Sequence, residues 1–536
     1  MHVSTMKTRQ ASVSPTSWVS RRGVVSKVVC LVLFVHMTVA RGQLLERATV
    51  IADARIITGG GQVIEKASIV IKGGKIVAVG ENVKVPFLSR RVSAAGKTIT
   101  PGLIDVWSAL GMSAGTGDGD ATARAEDAFD RYARDDFREA LRQGVTTVYV
   151  GADGSAGING TAAVIQLVPG TGRSAGEVLR KDAALCVNLG SNQSPIRRIK
   201  TFASIRKQFQ TAVDYRKSLE DYDEDLKEYL DKLAERRKKD EGEKKTDEGA
   251  AEDEKSPEDE SPSPQSGDDI EGDDSGGGGA GGLHGHFRAI FPQTTGRSHF
   301  AKSGSNGDKP KGGDKAKSPE DQKDKDKEDE LKKPQKPAYD AVSVVLLRAI
   351  DHELEVRIEA HRSADILNAL ALAKEFHLDI VLEGATEAYL VADAIAEADV
   401  AVVLGQVERT GIFEDTEFRR HTNRNAEYLS RAGVRWAIGS GGHDPRASRF
   451  LGFNAEMALA HLPADDFSRF AWVEWLTRDA SELLGMSQEV GLVAPSMRAD
   501  LVIWSGDPGD PQTIVERVFV GGTLAYLAPG LAGGGL

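Results

Sequence analysis

From Ala48 to Ile99, short β-branched runs alternate with glycine turns: Thr49-Val50-Ile51, Ser68-Ile69-Val70-Ile71, Gly73-Gly74 and Lys75-Ile76-Val77-Ala78-Val79. Runs of this kind bounded by glycine predict a small β-domain. The texture returns in Ala499-Asp500-Leu501-Val502-Ile503-Trp504 and Val518-Phe519-Val520-Gly521-Gly522. Chain ends often meet at a domain surface, so residues 43–100 and 491–527 are expected to pair into one β-sandwich. Between these ends strand and helix patterns alternate, which is the signature of parallel βα units. Eight strand candidates begin near Leu103, Thr146, Ala163, Leu185, Leu354, Leu378, Asp399 and Val434, and the amphipathic stretches between them include Ala125 to Arg142 and Ser363 to Phe376. The expected fold class is therefore α/β, a (β/α)8 TIM-like barrel over residues 101–202 and 337–490 with a small β-sandwich formed from both chain ends.

An insertion interrupts the alternation after the fourth strand. Ile205, Phe209, Val213, Leu219, Tyr222, Leu226, Tyr229 and Leu233 are mostly three or four apart, which predicts one long helix over 203–236. From 237 to 336 the composition turns to Lys, Asp, Glu, Gly, Ser and Pro. A segment so poor in apolar residues buries too little surface to offset its ordering entropy, and is expected to be disordered. The His284-x-His286 pair inside it has no scaffold to fix further ligands, so it is not read as a metal site. Residues 528–536 are expected to form a disordered tail.

Arg21, Arg22 and Lys27 precede an apolar run from Val28 to Ala40, the layout of an export signal over residues 1–42. The run is shorter than the ~20 residues a membrane-spanning helix needs. A cleaved signal for general secretion, leading to a periplasmic or extracellular location, is the expectation; a retained anchor is the alternative. Ser20-Arg21-Arg22-Gly23 also partly matches a twin-arginine signal. Cys30 lies in this segment, leaving Cys186 alone in the remaining chain as a core residue. The formal charge of −12 gives no unopposed Lys and Arg surface for a nucleic acid.

Four segments carry a resemblance. Pro101-Gly102-Leu103-Ile104-Asp105 opens the first barrel strand, and Glu359-Ala360-His361-Arg362-Ser363-Ala364-Asp365-Ile366 lies at the fifth. Leu382-Glu383-Gly384-Ala385-Thr386-Glu387-Ala388 lies at the sixth, and Gly491-Leu492-Val493-Ala494-Pro495 leads back to the β-domain. Together they resemble the imidazolonepropionase-like members of the amidohydrolase superfamily. The resemblance implies metal-dependent hydrolysis of non-peptide C–N bonds, cyclic amides among them. It also implies a His-x-His pair where this chain has Trp107 and Ala109, and a histidine in place of Glu359. A further histidine would stand at Gly384, and a metal-binding, proton-accepting aspartate at Gly441.

Neither an indole, a methyl group nor a glycine can donate a lone pair to a cation. Trp107, Ala109, Gly384 and Gly441 are therefore expected to line a pocket without holding metal. The chain then reads as a metal-depleted pseudoenzyme, a binding or assembly subunit for a small polar ligand, an active homologue or further copies of itself. The alternative is a working hydrolase with zinc or another divalent metal in a rearranged site. Glu359, His361 and Asp444 would be its metal ligands, Asp444 would double as the catalytic base, and cyclic amides or acylated amino acids would be its substrates. His443 is a further candidate donor; His352, His377, His421 and His461 carry no ligand spacing and read as surface or satisfied residues. Gly439-Ser440-Gly441 lacks the context of a nucleophile elbow.

Overall fold

The computed structural model describes residues 47–112, 119–151, 156–168, 176–190, 193–250, 331–407 and 418–531, with the backbone alone for 240–250. The expected export signal, the His284-x-His286 pair and residues 532–536 of the expected tail lie outside the described residues. Two compact units are present, one made of the chain up to Asp221 and from Pro337 onward, the other of Tyr222–Lys336. Among the described residues no helix is long and apolar enough to cross a membrane.

The first unit begins with β1 (Thr49–Ile57), β2 (Val63–Lys72), β3 (Lys75–Gly80), β4 (Arg90–Ser93) and β5 (Thr98–Pro101). Barrel strands follow as β6 (Leu103–Ser108), β7 (Val145–Val150), β8 (Gly157–Thr161), β9 (Ala163–Leu167), β10 (Gly176–Arg180) and β11 (Leu185–Asn188). After the insertion come β12 (Val356–Ala360), β13 (Ile380–Gly384), β14 (Ala401–Leu404) and β15 (Trp436–Ile438). The chain then returns to the β-domain with β16 (Leu501–Trp504), β17 (Val515–Val520) and β18 (Thr523–Leu527).

The two chain ends pair as the alternation predicts. One sheet runs β18-β17-β16-β5-β1-β2-β3 with β4 beside β1, and the antiparallel β5–β16 pair, Thr100 opposite Val502, joins the halves. Ile51, Ile56, Ile69, Ile76 and Ile99 from one end and Leu501, Ile503 and Phe519 from the other share a single core. Asp500 ties this domain to the barrel: its side chain accepts from Gln166 Nε2 at 2.8 Å and Gly521 N at 2.6 Å, and its carbonyl accepts from Gly102 N at 2.8 Å. Position 102 must be glycine because a Cβ there would lie 2.2 Å from Thr146 Oγ1.

The barrel strands fall into two sheets, β10-β9-β7-β6 and β15-β14-β13-β12-β11-β8. Two joins link them. Ala162, between β8 and β9, donates to Ala184 O and accepts from Ala183 N, both at 2.8 Å. Ser108 at the end of β6 bridges Gly441 just beyond β15, with Gly441 N donating to Trp107 O at 2.9 Å. The eight strands expected from the hydrophobic runs thus form the ring, but the third is reversed. β9 is antiparallel to β7 and β8 is antiparallel to β11, whereas the other ring pairings are parallel. Residues 151–156 are the whole link from β7 to β8, and a parallel crossover needs a dozen residues or more.

Helices differ from expectation in two places. The stretch 125–142 divides into α1 (Ala125–Ala128) and α2 (Arg134–Arg142), because the Asp130 side chain accepts from Tyr132 N at 2.8 Å and closes a local turn. The insertion helix α3 spans Pro195–Ala250, longer at both ends than 203–236. Proline suits the first helical turn, and the Lys- and Glu-rich sequence after 236 is made largely of good helix formers that need no apolar burial. Ile205, Phe209 and Ala212 of α3 are buried, Phe209 stacking 5.4 Å from Phe376 at the end of α4 (Ser363–Phe376). Arg198 of α3 forms a buried ion pair with Asp365 of α4, which gives the aspartate of the fifth-strand motif a structural role.

Ile503→Ala should lower unfolding free energy by about 2–5 kcal/mol in a denaturant titration, since it opens a cavity in the core shared by both chain ends. Ile514→Ala, at a side chain 58% exposed, should change it by less than about 0.5 kcal/mol.

Candidate functional site

In a strand, alternate residues face one side. On β12 this puts Arg357, Glu359 and, just past the strand end, His361 in a line rising through the barrel, all buried. On β6 it gives Asp105 and Trp107. Asp105 fastens the first strand to the loop after the last. It accepts from Ser440 N at 2.9 Å and Ser448 Oγ at 2.7 Å, and Ser448 also meets Ser108 Oγ at 2.8 Å. Burial raises the Asp105 carboxyl above its ordinary value, and these hydrogen bonds oppose the rise.

At the top of the line three donor side chains converge. Glu359 Oε1 lies 3.2 Å from His361 Nε2 and 3.0 Å from His443 Nε2, and the ligand atoms of all three lie within 4.8 Å of one another. Burial alone would push Glu359 up, but the two imidazoles hold its carboxyl down at about 2. Each remaining edge of the buried pair is occupied. Asn188 Nδ2 donates to Glu359 Oε2 at 3.0 Å, and His361 Nδ1 lies 2.8 Å from Thr386 Oγ1. Asn188 is itself fixed, its Oδ1 accepting from Gly190 N at 2.7 Å.

Beneath the trio, Arg357 is buried with its guanidinium 4.5 Å from the Tyr149 ring centroid, 2.7 Å from Glu355 and 3.4 Å from Glu383. Burial pushes Glu383 up to about 8, with the Glu359 charge adding to the effect and Arg357 opposing it. Tyr149 is likewise raised by burial.

A cavity of about 190 Å³ opens beside the trio. Its wall includes His361 and His443, the aromatic rings of Trp107 and Phe418, and the amides Gln406, Asn423 and Asn425. Three of the four positions expected to line a pocket do so: Trp107, Gly384 and Gly441. Ala109 does not. It lies past the end of β6, where Leu110 N bonds Ser108 Oγ at 3.1 Å and turns the chain away, and it is buried instead. Asp444 lines the cavity and is the only carboxylate among its described lining residues, yet it is not one of the converging donors. Its Oδ1 accepts from Arg446 N at 2.9 Å, so its side chain closes a turn and the preceding His443 faces Glu359.

Positions 384 and 107, two of those where the resemblance implies ligands, are closely packed. A Cβ at Gly384, where φ is +81°, would lie 2.3 Å from His361 Cε1, so the imidazole fills the place of any side chain there. Trp107 is accommodated in the same way. A Cβ at Gly439 would lie 2.6 Å from its Cβ, one at Gly442 2.5 Å from its Nε1, and one at Gly405 3.1 Å from its Cζ3. Gly441 differs, because a Cβ there would meet nothing within 4 Å.

Residues 343–526 match the model of the amidohydrolase family. An amidohydrolase from Thermotoga maritima MSB8 superposes with a TM-score of 0.59 at 21% identity, over 90% of this chain and 100% of that one. The chain carries an amidohydrolase-superfamily fold. A zinc-bound adenosine deaminase from Xanthomonas campestris is more distant, with a TM-score of 0.42 and 12% identity over 90% of this chain and 94% of that one. No curated protein matches the sequence.

Within this barrel, the sequence offered Glu359, His361 and Asp444 as ligands with His443 as a further donor, and the three that meet are Glu359, His361 and His443. Sequence reasoning missed three residues. Thr386 belongs to the sixth-strand motif, but only the fold shows that it meets His361. Asn188 ends a strand whose pairing with β12 puts it opposite Glu359. His421, expected as a surface or satisfied residue, lines the cavity, and no local spacing marks it.

Glu383 gives a pH signature. Its folded value lies above its unfolded one, so the stability linked to its protonated form is present below about 4.5 and is lost as pH rises towards about 8. Melting temperature measured across that interval should fall less steeply in Glu383→Gln than in the parent chain.

Proposed function

We propose that the chain is a hydrolase of the amidohydrolase type whose metal donors have regrouped, with Glu359, His361 and His443 taking the place of the family set. The observation that carries this reading is the meeting of both imidazole Nε2 atoms on one carboxylate oxygen of Glu359, at 3.2 and 3.0 Å. Two histidines and a glutamate are the donor types and number of a catalytic zinc site that keeps an open position.

The fit is tested by what holds the donors. Thr386 occupies Nδ1 of His361 and Asn188 occupies Oε2 of Glu359, so the edges left over all face one point. Such outer partners orient metal ligands and fix the histidine tautomer. The family positions themselves do not fit, since Trp107, Ala109, Gly384 and Gly441 bring no donor atoms.

A divalent cation bound there would supply Lewis acidity towards an amide carbonyl and lower the pKa of a water molecule. The chain's own part is to place the substrate. Trp107 and Phe418 offer aromatic faces to a small planar group, while Gln406, Asn423 and Asn425 can pair with both the N–H and the C=O of an amide. Asp444, on the same wall, is the carboxylate available to accept a proton. These contacts suit a small cyclic amide.

A second reading has its own observation. The indole of Trp107 packs against Gly405, Gly439 and Gly442 and fills part of the barrel mouth, which favours a metal-free barrel that binds a small polar ligand without turning it over. Metal analysis separates the two. Protein equilibrated with zinc and then dialysed should retain about one ion per chain by elemental analysis, and Glu359→Gln and His443→Ala should each lose it. Retention of the ion together with hydrolysis of a cyclic amide by the zinc-loaded chain supports the first reading. No retained ion, with quenching of Trp107 fluorescence by added cyclic amide, supports the second.

A further inference from the structure

The loop between β3 and β4 holds apolar side chains out in water. Both of its ends are fixed: Val83 packs on the cluster of Ala48, Val50 and Val70, and Arg90 N donates to Ala48 O at 2.8 Å where β4 begins. Between these anchors Val85, Phe87 and Leu88 are 40%, 93% and 66% exposed. Ser89 N donates to Pro86 O at 3.2 Å, so residues 86–89 form a β-turn with Phe87 and Leu88 at its tip. Leu88 has a φ of +64°, a left-handed conformation that such a turn ordinarily leaves to glycine or asparagine. A bulky apolar residue there strains the backbone and buries little within its own chain.

The charges around the tip have one sign. Lys84, Arg90 and Arg91 are exposed in the same segment, Arg47 is exposed where the chain enters β1, and Glu81 is the only acid from 81 to 91. Among the described residues none of these four cations is in an ion pair. A convex apolar tip has the wrong shape for a small-molecule site, which is concave. It suits a bilayer, where apolar side chains enter the boundary of the acyl chains and basic groups beside them meet anionic headgroups. The path of the chain points the same way. The apolar run that ends at Ala40 is separated from Ala48 by seven residues, which reach at most about 25 Å. A chain meeting a membrane through that run has this corner, with Ala48 bonded to Arg90, nearest the bilayer.

We propose that the β3–β4 loop is a membrane-contact element, with Phe87 and Leu88 entering the interface of an anionic bilayer while Arg47, Lys84, Arg90 and Arg91 bind its phosphates. The test attaches an environment-sensitive fluorophore to Ser89→Cys in the full chain. The background carries Cys30→Ser, together with Val32→Asp and Phe34→Asp, which deny the upstream run any insertion of its own. Cys186 is buried and does not compete for the label. Vesicles of phosphatidylglycerol and phosphatidylcholine with brominated acyl chains should shift the emission to the blue and quench it, and phosphatidylcholine alone should not. The same label at Leu367→Cys, 45% exposed on α4, should not respond. Lys84→Glu with Arg90→Glu and Arg91→Glu should raise the lipid concentration for half-maximal change by at least about tenfold. Phe87→Ser, at a residue almost wholly in water, should weaken the response likewise. No response at residue 89, an equal response at residue 367, or indifference to both the charge reversals and Phe87→Ser would overturn the proposal. So would a blue shift that grows with protein concentration in the absence of lipid, which would mean that another chain covers the loop.

Discussion

Burying a carboxylate without partners is one of the costlier things a fold can do, and the centre of this molecule is arranged around avoiding it at Glu359. Three side chains surround that carboxylate: Asn188 from one neighbouring strand, His361 two residues further along its own chain, and His443 from the loop after the last strand. Each comes from a different part of the ring, so they meet only if the barrel closes in register. Closure is in turn secured at Asp105, which pins the first strand to the loop carrying Ser440 and the segment carrying Ser448. The chemistry at the rim and the integrity of the ring are thus one problem solved by hydrogen bonds to two buried acids.

The same economy appears in the way apolar bulk is distributed. Three glycines at the ends of the last strands make room for one indole, and one glycine in a left-handed conformation makes room for one imidazole. At positions 107 and 384 this packing sets rings against bare backbone. The electrostatics below follow suit. Glu359 keeps its charge because imidazoles face it, and Glu383, a strand away, holds its proton because burial and the nearby Glu359 charge outweigh Arg357.

Much of this could be read from the residues. Strand positions followed from β-branched runs, because a buried parallel strand must be apolar on both faces, and the pairing of the two ends followed from their shared texture. The third strand's direction was hidden, since Ala163-Val164-Ile165 reads alike in either sense and only the shortness of 151–156 limits the choice. The extent of α3 was missed because charge-rich composition signals solvation, and a helix of Lys and Glu is solvated too. At the site, Glu359 and His361 stood out by their motif, whereas choosing His443 over Asp444 required knowing which way a turn faces. Asn188, Thr386 and His421 are ordinary residues made significant by what lies across from them.

The ring of His361 standing in the space above residue 384 also limits where this sequence can go. Any side chain gained at 384 collides with the imidazole, and removing the imidazole first strips Glu359 of a partner. No single substitution leads from this arrangement to one with a sixth-strand ligand without passing through a chain that has neither. The packing therefore locks residues 361 and 384 together, so that neither can change without disturbing the other.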